Sequence, residues 1–288
     1  MPSPLERLPL LLLSTMMLAL PARASIIGAD GRHSAAIAAL PHAAIGSLID
    51  VDSGALCTGT VVAPDIVLTE AHCALRAARP ADCRWPHPAE GCGDGALQPR
   101  DLRFLADDNA GIARANKYAR SIEVTRVLAY GPDYRPGAGA PYFQQRRDDW
   151  AYLQLATPLD AARYPPLRIA PADLGGRLDS GIAMPGYSAD RYYRDGDPSF
   201  DASCSMDYIR RRERGRDIGL IRHDCDSTAG ASGSPILLRG RDGSWSVIGM
   251  HTDGPDPRYP KQPPGDGNYG TPSSAFYAAY RRLVALPR

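Results

Sequence analysis

Apolar residues along this chain fall into short runs rather than long periodic stretches. Runs at 43–49, 59–62, 66–69, 122–128, 151–155, 236–238 and 245–250 are bounded by turn-forming residues and rich in β-branched side chains. Segments this short make poor helices and ordinary strands, so the pattern predicts a sheet-rich chain. The tail differs. Between 274 and 286, Phe276, Tyr280, Leu283 and Val284 recur at a helical spacing, and Ser273 or Ser274 stands where a helix start is capped. A C-terminal helix is therefore expected. The stretch 157–173 carries Pro158, Pro165, Pro166 and Pro171, which marks it as a connection between two halves. No repeat at a solenoid period is present.

The first residues follow another logic. Residues 8–20 are apolar apart from Pro9, Ser14 and Thr15, follow Arg7, and precede Ala22-Arg23-Ala24. A basic start, an apolar stretch and a small-residue cleavage site make a secretory leader, expected over 1–24. That run is too short to span a bilayer comfortably, and no later run is longer. Its removal takes away Glu6, Arg7 and Arg23 and leaves a formally neutral mature chain, 25–288.

Composition narrows the classes. Lys+Arg 33 against Asp+Glu 32 gives no basic excess, which argues against a dedicated nucleic-acid binder. With 44% hydrophobic and 23% charged residues, the chain can bury a core and is not disordered. Its 28 Gly and 27 Pro favour strands joined by turns over a helical bundle. The 288 residues allow one large domain or two ordinary ones.

All six cysteines lie in the mature part: Cys57, Cys73, Cys83, Cys92, Cys204 and Cys225. An even count in an exported chain points to disulfides. A metal site would want a C-x-x-C pair, which is absent; only His72 and Cys73 adjoin. No metal or cofactor is expected. Many pairings are possible, and neighbours in sequence are favoured: 57–73, 83–92 and 204–225.

Three patterns carry candidate chemistry. His72 follows two strands joined by Pro64-Asp65, inside the span Cys57 to Cys73. Asp149 stands at the head of the apolar run Trp150-Ala-Tyr-Leu-Gln-Leu155; Asp148 beside it reads as a solvated neighbour. Ser232 lies in Gly230-Ala-Ser-Gly-Ser-Pro235, just before another strand, where glycines let backbone N–H groups approach a substrate carbonyl. A serine hydroxyl needs an adjacent base, and the base needs an orienting acid. The order His, Asp, Ser separates this chain from the α/β-hydrolases, which run Ser, Asp, His and carry G-x-S-x-G.

On these residues the chain resembles the trypsin/chymotrypsin-like serine proteases. Ala71-His72-Cys73 resembles that family's A-H-C, Asp149-Trp-Ala-Tyr-Leu its D-I-A-L-L, and Gly230-Ala-Ser-Gly-Ser-Pro235 its G-D-S-G-G-P. The G-x-S-G-S-P form, with Gly249-Met-His251 downstream, is closer to bacterial secreted members, including glutamyl endopeptidases. Ile26-Ile-Gly28 followed by 40–48 resembles the family's first strand.

The resemblance implies an all-β, chymotrypsin-like double six-stranded antiparallel β-barrel. Residues 25–160 would carry His72 and Asp149, and 161–288 would carry Ser232. It implies a secreted or periplasmic, monomeric serine endopeptidase acting on protein or peptide substrates, with no nucleic-acid or membrane partner once the leader is gone. The oxyanion hole falls to the N–H groups of Gly230 and Ser232. The alternative is a catalytically inactive homologue acting as a binding module.

Two departures bear on function. Ala231 stands where trypsin-like zymogens carry Asp, so an Ile26 terminus has no carboxylate there to pair with. Selectivity is open: Asp226 resembles the acid that binds basic side chains, whereas Ser227 and His251 resemble groups that bind a glutamate side chain. Asp226 can equally be a turn or capping acid. The run Arg210 to Arg216 reads as a solvated loop face, and Asp107-Asp108-Asn109 as a polar turn.

Overall fold

The computed structural model describes residues 25–34, 41–77, 97–109, 114–135, 142–171, 176–210, 212–213, 216–254 and 267–285. The expected leader 1–24, Cys83, Cys92 and most of the Pro/Gly-rich stretch 255–270 lie outside the described residues.

The strands of the first half are β1 (His33–Ser34), β2 (Ile45–Asp50), β3 (Leu56–Ala63), β4 (Ile66–Thr69), β5 (Leu75–Ala77), β6 (Leu97–Pro99), β7 (Leu102–Leu105), β8 (Ile122–Tyr130) and β9 (Ala151–Leu155). Short helices α1 (Ala71–Ala74), α2 (Arg114–Arg120) and α3 (Tyr142–Arg147) punctuate them. The second half holds β10 (Arg168–Ile169), β11 (Ile182–Gly186), α4 (Ala189–Asp195), β12 (Ser199–Asp201), β13 (Met206–Ile209), β14 (Arg212–Glu213), β15 (Arg216–Asp217), β16 (Leu220–His223), β17 (Pro235–Arg239), β18 (Trp245–Asp253), β19 (Asn268–Pro272) and α5 (Tyr277–Ala285).

Strands β2-β3-β4-β9-β8-β7 close into a six-stranded antiparallel barrel. The Pro64-Asp65 turn sets the β3–β4 register, pairing Thr60 with Leu68 and Val61 with Val67. Both faces of β3 and β4 are buried, which explains why these strands read as continuous apolar runs rather than alternating ones. By contrast β8 alternates half-buried and exposed positions along its first four residues. Phe104 is fully buried inside the barrel. Gly46 and Gly59 pair directly across β2 and β3, and a Cβ on Gly46 would lie 2.5 Å from the Phe104 ring. The ring thus occupies the space that two absent side chains leave.

The second half is a nine-stranded sheet of order β1-β12-β11-β17-β18-β19-β16-β13, with β10 added beside β18. It forms a half-barrel around Ile182, Met184, Met206, Ile221, Ile236 and Ile248. The architecture is all-β and chymotrypsin-like, as the resemblance implied. Strands β11, β12, β13, β16 and β19 were not among the runs read from sequence. Polar or glycine residues interrupt them, as in Asn268-Tyr-Gly-Thr-Pro272, and only the sheet around them makes them strands.

One strand pairing crosses between the halves. Residues 33–34, ahead of the barrel in sequence, pair with β12 of the second half, His33 opposite Phe200. The tail helix is present as α5, preceded by a 3-10 turn at Ser273–Ala275. Phe276 is fully buried, and Tyr280 and Leu283 pack on the main core, but Val284 is 37% exposed and takes no part in it. Tyr152 donates its hydroxyl to Phe276 O at 3.1 Å, so the tail is stitched to the first barrel.

Asp107 and Asp108 are not an open polar turn. Asp107 is ion-paired with Arg120 and Arg163, and Asp108 is fully buried against Lys117, Ser47 and Tyr192. Tyr187 also donates to Asp108 O at 3.0 Å, which ties the second half to the barrel.

Candidate active site

The site forms where the barrel meets the half-barrel. Strand β4 ends at Thr69, and the single turn α1 lifts His72 away from the barrel. Asp149, just before β9, is 1% exposed. Its Oδ1 accepts the His72 backbone N–H at 2.8 Å, and its Oδ2 lies 2.8 Å from His72 Nδ1. One carboxylate therefore fixes both the backbone and the ring of the histidine. The His72 side chain remains 38% exposed. Burial pushes the Asp149 carboxyl up, but the His72 ring, its hydrogen bonds and the Arg146 charge outweigh it, and the carboxyl sits below the usual range.

The cystine Cys57–Cys73 joins β3 to α1, so the residue beside His72 is stapled to the barrel wall. The second cystine in the described residues is Cys204–Cys225. Both are sequence neighbours, as expected; 83–92 lies outside the described residues.

Ser232 sits in a loop held from both sides by Thr58, the residue after Cys57. The Thr58 N–H donates to Ser232 O at 2.8 Å, and its hydroxyl donates to Gly230 O at 3.0 Å while accepting the Tyr187 N–H at 2.9 Å. Ala189 N–H adds a bond to Ala229 O at 2.6 Å. Gly230 and Gly233 have φ of +94° and +87°, and a Cβ on Gly233 would meet Thr58 O at 2.2 Å. Only glycine permits that turn against that strand. Among the described residues, the N–H groups of Gly230 and Ser232 donate to no acceptor. The Ser232 hydroxyl makes one long contact, to Thr252 O at 3.5 Å. Thr58 thus does the holding that a carboxylate at 231 cannot do, since Ala231 is buried and apolar. Thr58 was missed in the sequence because a lone Thr in a strand carries no signal.

A profile of this family settles the relationship: the trypsin-like peptidase domain matches residues 57–250, which span His72, Asp149 and Ser232. The chain belongs to the trypsin-like peptidase domain family. Solved structures agree on the fold. A glutamyl endopeptidase in complex with MPD superposes with a TM-score of 0.58 at 20% identity, covering 90% of this chain and 98% of that one. A thermostable serine protease, AL20, from an extremophilic microorganism gives 0.53 at 16%, covering 85% and 98%. The protease Anisep from Arthrobacter nicotinovorans gives 0.53 at 16%, covering 88% and 100%. No curated protein matches the sequence.

Within this trypsin-like domain, the residues offered for selectivity are placed unequally. Asp226 is buried, and both its oxygens are occupied: Oδ1 accepts the Ile27 N–H at 2.6 Å and Oδ2 the Gly31 N–H at 2.7 Å. That is the capping role the sequence also allowed. Burial raises its carboxyl above the usual range despite those two bonds. Ser227 and His251 are fully buried, and Ser227 Oγ and His251 Nε2 have no hydrogen-bond partner. His251 Nδ1 lies 3.1 Å from His223 Nε2. Burial holds both rings neutral, His223 at about 4 and His251 well below its ordinary value. In a neutral pair, a donor at His223 Nε2 leaves His251 Nε2 as a free N–H. The segment 25–31 is anchored beside them: Ser25 N–H donates to Asn268 Oδ1 at 2.9 Å, and Asn268 Nδ2 donates to Ser25 O at 2.8 Å.

Proposed function

We propose that this trypsin-like domain is an exported serine endopeptidase that works through an acyl-enzyme. In this reading Ser232 Oγ attacks the scissile carbonyl and His72 takes its proton. Asp149 holds the imidazole tautomer and stabilises the imidazolium that forms. The N–H groups of Gly230 and Ser232 receive the oxyanion, each such donor contributing roughly 3 kcal/mol to the transition state. The observation that carries the reading is the doubled hydrogen bond from His72 to Asp149. A histidine gripped by ring and backbone by one buried carboxylate, beside a glycine-bounded serine, makes a general base already oriented. No cofactor enters this scheme, and the chain is taken to act as a monomer on protein or peptide substrates. The halves divide near residue 160, with the leader 1–24 removed on the way to the periplasm or the medium. Two cystines support an oxidising destination, and no described helix is long and apolar enough to cross a membrane.

Labelling with a fluorophosphonate separates enzyme from silent homologue. The folded mature protein is expected to carry one adduct, at Ser232, seen by peptide mass mapping. Absence of an adduct on correctly folded protein would favour the binding module.

A preference for an acidic residue before the cleaved bond is the reading that two buried polar groups favour. Asp226 already serves the N-terminal segment, while Ser227 Oγ and His251 Nε2 are buried polar atoms without partners. Such atoms are unstable alone and suit a ligand carboxylate. Chromogenic peptides differing only at that residue should show kcat/KM for Glu at least about ten-fold above that for Arg, a margin of roughly 1.4 kcal/mol. Faster cleavage after Arg would return the role to Asp226.

A further inference from the structure

Directly beneath Asp149 lies a second carboxyl group that the proposed mechanism does not use. Glu70, between β4 and α1, is 0% exposed. Its position ahead of α1 is that of a capping acid, yet its side chain makes no capping hydrogen bond. Thr252 donates to Oε1 at 3.2 Å, whereas Oε2 is buried with no donor facing it. Ligand atoms of Glu70, His72 and Asp149 all lie within 4.8 Å of one another. Both carboxyl groups are buried, so an oxygen of Glu70 and one of Asp149 stand within 4.8 Å of each other with no solvent around them. Two ionised carboxylates cannot share a buried contact of that kind, so one of them holds a proton. Asp149 cannot be that one while it accepts from both His72 N–H and Nδ1, because those bonds favour its ionised form.

We propose that Glu70 is a positioning residue: an un-ionised carboxylic acid whose Oε2 proton is donated to Asp149, acting on His72 through that carboxylate. The assignment rests on the reading of His72, Asp149 and Ser232 as a triad. It turns the orphan oxygen into a donor. It also uses lone pairs of Asp149 that His72 leaves free, since each carboxylate oxygen can accept twice. The surroundings agree. Arg146, the nearby full cation of α3, is ion-paired with Asp253 of β18. Tyr134, which also faces the two carboxyls, is held neutral by burial and by the Asp149 charge. Burial, then the Asp149 charge, pushes Glu70 itself well above its ordinary value. A donated proton draws charge off Asp149 and so loosens its hold on a charged His72 ring. Glu70 would therefore place the acid limb of the activity profile lower than a lone Asp149 would.

The infrared difference spectrum between wild type and Glu70→Gln at neutral pH tests the protonation directly. Wild type should show the carbonyl stretch of an un-ionised carboxylic acid, and the variant should lose it. This measurement needs no turnover, so it stands or falls apart from the triad itself. The second arm is kinetic. Glu70→Gln keeps a neutral donor and should leave the acid limb of kcat/KM against pH in place. Glu70→Leu removes the donor at similar volume and should move that limb up by roughly 0.5–1 pH unit. No un-ionised band in wild type overturns the proposal. So does a downward shift in Glu70→Gln, the result of deleting a negative charge. A Glu70→Leu that loses stability with its profile unmoved would show Glu70 to be structural, and also overturns it.

Discussion

Ser232→Ala is expected to lower kcat for peptide hydrolysis by about a million-fold while the protein still folds. Removing an attacking oxygen deletes the acyl-enzyme route, and what survives is the activity of the remaining polar groups on water. The fold should be spared because the loop is not held by this side chain. Its anchors are backbone and Thr58: Thr58 N–H to Ser232 O, and Thr58 Oγ1 to Gly230 O. The hydroxyl itself has only the 3.5 Å contact to Thr252 O. Urea unfolding should place the variant within about 0.5 kcal/mol of wild type. Turnover near the wild-type level would remove Ser232 from the mechanism. A large loss of stability would instead show that the hydroxyl is structural.

The second large effect is expected at Asp149. Asp149→Asn keeps the volume but presents an amide in place of one acceptor, and it can no longer accept from both His72 N–H and Nδ1. The ring then adopts the wrong tautomer, with its proton facing Ser232, and kcat should fall by about ten-thousand-fold. The same substitution changes the acid stability. The folded Asp149 carboxyl lies below its unfolded value of about 3.9. Its stabilisation is thus present above that pH and is lost as pH falls through the folded value. Thermal melts of the Asn variant should therefore lose less on acidification than wild type does. An equal loss in both, with activity retained, would mean that Asp149 is neither the orienting acid nor a source of acid sensitivity.

Much of this site was legible because it is local. The Ala71-His72-Cys73 turn follows a strand whose apolar run is unbroken, and a glycine-bounded serine precedes another strand. Asp149 was separable from Asp148 by the strand that follows it, and only Asp149 reaches His72 in the hydrogen bonds of the site. The strands missed were those whose residues are polar or glycine, such as Met206–Ile209 and Asn268–Pro272. They are strands because their neighbours pair with them, not because of their own periodicity.

Sequence alone carried the resemblance to the family, the order of the three candidate catalytic residues and the sheet-rich character, and it favoured the cysteine pairs 57–73 and 204–225. These follow from residue types at short spacing. Only the tertiary structure decided what those residues lean on. Thr58 reaches Gly230 across 172 residues, Asp226 reaches Ile27 across 199, and Glu70 reaches Thr252 across 182. The Thr58 and Glu70 contacts are set by the meeting of the two sheets, and the Asp226 contact by the segment that leads into β1. Hydrophobic periodicity records which face of a strand is buried, but not which distant strand will cover it.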